Sequence, residues 1–79
     1  MQEDIIPDKR LDCRGLSCPM PILKTKKAIA KMKPDQILEV IGTDPGTIND
    51  MPSFAQRAGH EYLGEKTGRG FTLFYIKVK

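Results

Sequence analysis

The sequence predicts an α/β fold: a two-layer α/β sandwich, βαβαββ, with a mixed four-stranded sheet and two helices on one face. Three observations carry that expectation. From Pro19 to Lys33 the pattern is helical, with Ile22, Thr25, Ala28, Ile29 and Met32 on one stripe and Lys24, Lys27 and Lys31 opposite. Residues 36–41, "QILEVI", are dense in β-branched and apolar side chains, as a largely buried strand is. In the last run Phe74, Ile76 and Val78 alternate with Leu73, Tyr75 and Lys77, so one face can pack on helices while the other is partly solvated. Stacking both helices on one side of the sheet buries all of these faces at once.

Residues 1–9 are polar, contain Pro7 and read as an N-terminal tail, with residues 10–79 as the single domain. Arg10 to Cys13 is expected as a short first strand, and Arg14-Gly15-Leu16-Ser17 as the turn into the first helix. Pro34-Asp35 stops that helix, and the second strand ends at Gly42-Thr43-Asp44-Pro45-Gly46, where Asp44-Pro45-Gly46 is a structural turn. Thr47 with Asp50 resembles a capping box, yet Pro52 would break a helix already several residues long. A turn is therefore expected at 45–49 and a second helix from near Asp50, with Pro52 in its first turn, Met51, Phe54, Ala55 and Ala58 apolar, and Gly59 as the cap. His60 to Lys66 and Phe71 to Lys79 then form antiparallel strands around Thr67-Gly68-Arg69-Gly70. Phe54, Phe71, Phe74 and Ile37 read as core, and Tyr62 and Tyr75 as edge residues with wet hydroxyls.

A chain of 79 residues is one small domain. No apolar run approaches the roughly 20 residues that span a bilayer, and "MQEDIIPDKR" lacks a basic-then-apolar signal pattern, so a soluble cytoplasmic protein away from membranes is expected. The two cysteines are spaced C-x4-C, which is neither a redox C-x-x-C nor a zinc knuckle, and there is one histidine. No metal and no cofactor is expected. Thirteen Lys and Arg against ten Asp and Glu leave a net charge of +3, and its distribution says more than its size. Between Lys9 and Lys33 stand eight basic residues and a single acid, Asp12, so the neighbourhood of Cys18 is strongly positive.

Cys18 is the candidate reactive residue. With Pro19 at the first helical position, Cys18 becomes the N-cap, facing the unpaired amides of the first turn; Pro21 removes one of those amides and leaves that of Met20. A hydroxyl or carboxylate caps better than a thiol, so a cysteine here is better explained by chemistry. The positive helix end, the Met20 amide and nearby cations favour a thiolate. Free cysteines are often small buried hydrophobes, but prolines on both sides of Met20 exclude ordinary helix-interior burial for Cys18. Cys13 ends a strand, and a structural role is the plainer reading, beside a resolving thiol or a modulator of Cys18. Arg14 and Lys24 are accessory candidates that could offer charge to the sulfur or to a partner's acidic rim, although a solvated lysine face is the plainer reading of Lys24. His60 reads as a surface or packing residue, and with no general base beside Cys18 a Cys-His hydrolase is disfavoured.

Cys18-Pro19-Met20-Pro21 fits a C-P-x-P motif, and with it the sequence resembles the TusA-like, also called SirA-like, sulfur carriers. The resemblance extends over "LDCRGLSCPMPILK", "LEVIGTDPGTINDMPSFAQRAGHE" and the closing hairpin, about residues 10–79, and implies the same βαβαββ sandwich. It further implies that Cys18 accepts sulfane sulfur as a persulfide from a protein donor, such as a cysteine desulfurase or a rhodanese-like protein, and relays it to an acceptor protein. The pathways so served are tRNA thiolation, sulfur oxidation and cofactor sulfur supply. Members have Ala or Cys where Cys13 stands, and some carry a further Cys where this chain has Ala55, so one transferable sulfur at Cys18 is the simplest reading. Such a carrier is expected to be a monomer that has no turnover without its partners and makes no direct nucleic-acid contact. Two other readings stand beside it: an RNA-binding or regulatory module built on the basic helix face, and a thiol redox switch through a Cys13 to Cys18 disulfide.

Overall fold

The computed structural model describes residues 6–17 and 19–79; Cys18 and residues 1–5 of the expected tail lie outside the described residues. The elements run β1 (Lys9–Cys13), α1 (Met20–Ala30), β2 (Ile37–Gly42), α2 (Thr47–Arg57), β3 (Glu61–Gly68) and β4 (Phe71–Lys77), the expected βαβαββ order. They form a single four-stranded sheet, β1-β2-β4-β3, with β1 parallel to β2 and the other pairs antiparallel. A parallel neighbour cannot be reached by a tight turn, and α1 supplies the crossover. It lies over β1 and β2, while α2 lies over β3 and β4.

The core sits between the helices and one face of the sheet. Leu38 pairs with Ile76 and Val40 with Phe74 across β2 and β4, and all four are fully buried against Ala28 and Ile29 of α1 and Met51, Phe54 and Ala55 of α2. Each large apolar side chain so enclosed contributes on the order of 1.5–3 kcal/mol. The stripe expected on α1 is the one it buries: Thr25, Ala28 and Ile29 are buried, and Ile22 and Met32 pack at the rim.

Several local expectations are corrected. β2 is buried on one face only, with Ile37, Glu39 and Ile41 half-buried, because no helix covers the other side. For the same reason Ile37 and Phe71 are half-buried instead of core residues. α1 ends at Ala30 because the chain tightens there: the amides of Lys31 and Met32 donate to the carbonyls of Ala28 and Ile29, three residues back. β3 runs on to Gly68, so Arg69-Gly70 alone forms the hairpin loop.

α2 begins at Thr47, ahead of the position near Asp50, and Pro52 lies inside it. The amides of Thr47, Ile48 and Asn49 donate to the carbonyls of Asp44, Pro45 and Gly46 at 3.1, 3.2 and 3.2 Å, closing the first turn with short-range bonds. Thr47 is buried and the helix has no side-chain cap, so the Thr47/Asp50 capping box does not form. Burial of Met51, Phe54 and Ala55 carries the helix past the proline, tertiary packing outweighing local propensity. At the other end Gly59 has a φ of 84°, and the His60 amide reaches back to the Ala55 carbonyl at 2.9 Å, a glycine-terminated cap as expected. That reversal leaves Ala58 exposed.

The tyrosine hydroxyls are paired. Tyr75 is buried on the helix-free face and donates to Glu39 at 2.8 Å; burial, then that carboxylate, push its pKa up to about 12. Tyr62 donates to Glu65, and burial foremost raises its pKa as well.

Candidate functional site

The connection from β1 to α1, residues 14–19, carries the sequence-predicted site. It leaves the sheet at Cys13, the last residue of β1. Gly15 has a φ of 80°, a conformation that an L side chain resists, and its amide donates to Thr43 Oγ1 at 2.9 Å. The Leu16 amide donates to the Cys13 carbonyl at 3.2 Å, and the Leu16 side chain packs against the core. Ser17 and Pro19 are exposed. The loop is thus tied to β1, to the β2–α2 connection and to the core.

α1 starts one residue later than expected. Pro19, at φ −98° and ψ 12°, precedes the helix instead of opening it, and Pro21 takes the second helical position. The Met20 amide donates to the Ser17 carbonyl at 2.9 Å, so it closes a turn and is not left facing the preceding residue. A proline on either side of Met20 is still accommodated, because amides at a helix start have no partner within the helix. Pro21 is fully buried, and Thr25 donates to its carbonyl at 2.7 Å. The first turn is therefore anchored inward through Pro21, while Met20 and Leu23 face out at 43% and 45% exposure.

The accessory candidates separate. Arg14 grips Asp12 with two side-chain bonds, Nε to Oδ1 at 3.0 Å and the terminal nitrogen to Oδ2 at 2.9 Å. These bonds hold the Asp12 carboxyl down at about 2, and the guanidinium's charge is spent on that carboxylate. Lys24 is exposed on α1, and its charge favours the ionised forms of both Asp12 and Cys13. Cys13 is a free thiol with no exposure, and burial pushes its pKa up. It is a core residue, out of reach as a nucleophile. His60 accepts the Lys79 amide on Nδ1 at 3.1 Å, at the opposite end of β4 from the loop.

Sequence reasoning did not single out Thr43 or Leu23. Thr43 has no local signal, since its partner Gly15 is 28 residues away in the chain. Leu23 could have been found, because it falls opposite the apolar stripe of α1.

Against known proteins, the family described as Sulfurtransferase TusA matches residues 9–78. The chain belongs to the TusA family of sulfur carriers. It is 44% identical over 70 residues to the sulfur carrier protein TusA of Allochromatium vinosum, covering 89% of this chain and 92% of that one. It is 40% identical over 76 residues to TusA of Pseudomonas entomophila, covering 96% and 95%. The crystal structure of the SirA-like protein from Desulfitobacterium hafniense shares the fold, with a TM-score of 0.73 at 24% identity over 87% of this chain and 95% of that one. Among the described residues, exposed Ser17 and Pro19 thus stand on a loop tied down at Gly15 and Leu16, next in the chain to exposed Met20, Leu23 and Lys24 of α1.

Proposed function

We propose that this protein carries sulfane sulfur as a persulfide on Cys18, taking it from a protein donor and passing it to a protein acceptor. Membership of the TusA family supports the carrier role. The observation that carries the choice of residue is the burial of the alternative: of the two cysteines, Cys13 is sealed in the core, and Cys18 stands between exposed Ser17 and Pro19. In the first step the Cys18 thiolate attacks the terminal sulfur of a donor persulfide. The new S–S bond forms as the old one breaks, the terminal S–H stays on the transferred sulfur, and the donor leaves as a thiolate. In the second step an acceptor thiolate attacks that same sulfur and releases the Cys18 thiolate, with no net oxidation. Exchange is fastest when the attacking thiol titrates near ambient pH.

Pro19 and Pro21 hold the loop's departure into α1, and exposed Met20 with Leu23 offers the partner an apolar contact at the start of α1. The donor is of the cysteine desulfurase or rhodanese-like kind, and the protein works in the cytoplasm as a monomer. Among the described residues no helix is long and apolar enough to cross a membrane. A Cys13 to Cys18 redox switch is disfavoured, because Cys13 is buried and its thiol is pushed up.

The test is intact mass after incubation with a cysteine desulfurase and cysteine, or with inorganic polysulfide. The wild type and Cys13→Ser gain one sulfur that reductant removes, and Cys18→Ser gains none. A persulfide that persists in Cys18→Ser would overturn the assignment.

A further inference from the structure

The row of cations on α1 does not lie on an open convex face alone. Lys24, Lys27 and Lys31 share a cleft of about 230 Å³ with Lys9 of β1, and the cleft is floored by Leu11 and Ala28. None of its lining residues is acidic, and none of the four lysines is paired with an acid among the described residues. The nearest acids are engaged elsewhere. Asp12 is held by Arg14, and Asp8 accepts the Ile37 amide at 2.8 Å. The strand register sends Lys9, Leu11 and Cys13 toward the helices and Arg10 and Asp12 to the opposite face, so lysines alone surround the apolar floor.

The second observation is the strand itself. β1 pairs only with β2 in the order β1-β2-β4-β3, so its outer edge is free among the described residues. An edge strand can accept another strand through its unpaired backbone groups, and lysines beside it repel a second copy of this same chain. They attract an extended segment of opposite charge. The cleft also points at the site: β1 ends and α1 begins at the loop that holds Cys18, and Lys24 is close enough to influence Cys13 and Asp12 there.

We infer that the cleft between β1 and α1 docks an acidic, extended segment of a protein partner, laid along the free edge of β1 with its apolar side chains on Leu11 and Ala28. That segment would present the partner's thiol or persulfide to the Cys18 loop, and in that respect the inference rests on the carrier reading. A protein strand fits better than RNA because the floor is aliphatic and no aromatic side chain lines the cleft for bases to stack on.

The experiment is an NMR titration of the isotope-labelled full chain with a short synthetic peptide alternating Glu and Val. Its companions are the same peptide with Gln for Glu and a single-stranded RNA oligonucleotide. The expected result is that the Glu peptide shifts signals of residues 9–12 and 24–31, and that replacing Glu by Gln, or making Lys27→Glu with Lys31→Glu, weakens it about tenfold. Shifts located elsewhere, equal binding of the Gln peptide, or RNA producing the same shifts more tightly would overturn the inference. Because both lysines are exposed the variant should fold, and the peptide comparison on the wild type decides the matter even if it does not. The titration does not involve Cys18. Failure of the carrier reading shows separately, as wild-type protein that gains no sulfur from polysulfide.

Discussion

The two strand-to-helix connections solve one geometric problem in opposite ways. From β2 to α2 the chain spends four residues, Thr43 to Gly46, closes the helix start with backbone bonds, and turns Thr47 inward to be buried. From β1 to α1 it spends six, residues 14–19, and the helix start turns Pro21 inward and Met20 outward. The first connection is a plug and the second a platform. They are also joined, since Thr43 of the plug holds Gly15 of the platform at 2.9 Å. The candidate loop is thus held in part by a residue of the neighbouring connection.

The largest test of that contrast is its two helix prolines. Pro52 is the sixth residue of α2 and withholds a donor from the Ile48 carbonyl four residues back, so Pro52→Ala should stabilise the protein by about 1–2 kcal/mol. Pro21 sits where no intrahelical donor is needed, and its ring is fully buried, so Pro21→Ala should destabilise by a similar amount. Urea unfolding of both variants checks this. Shifts of the same sign would show that the two helix starts are not distinct in the way described.

A smaller effect tests the tie between them. Thr43→Val removes the acceptor of the Gly15 amide and should cost about 1 kcal/mol in urea. It should also slow persulfide loading of Cys18 several-fold, and Thr43→Ser should restore both. Loading that is unchanged while stability falls would reduce Thr43 to a structural residue.

The smallest concerns acid. Asp12 is held at about 2 against an ordinary 3.8, so its folded form is the stronger acid. Its contribution to stability is present above the ordinary value and is lost as pH falls toward 2. Arg14→Ala should remove that portion of the acid sensitivity, seen as urea midpoints that separate from wild type above pH 4 and converge with it as pH approaches 2. Parallel curves would mean that Arg14 does not hold Asp12 in solution.

What the sequence offers for the candidate site is written in neighbours. Cysteine between a polar turn and two prolines, followed by lysines at helical spacing, is a local pattern, and the apolar stripe of α1 and the alternation in β4 are periodic ones. The elements, their order and the two-layer class follow from such patterns alone, since a face that repeats every second or fourth residue must be covered by something. What the sequence could not decide are quantities settled by residues distant in the chain. Pro52 reads as a helix breaker until burial of Met51 and Phe54 outweighs it, and Tyr75 reads as wet until β2 brings Glu39 alongside. Thr43 is an ordinary loop residue until the sheet places it against Gly15. The gathering of Lys9 with Lys24, Lys27 and Lys31 around one shallow cleft likewise appears only when β1 is set beside α1, because charge is a property of a sequence but the surface that gathers it is a property of the fold.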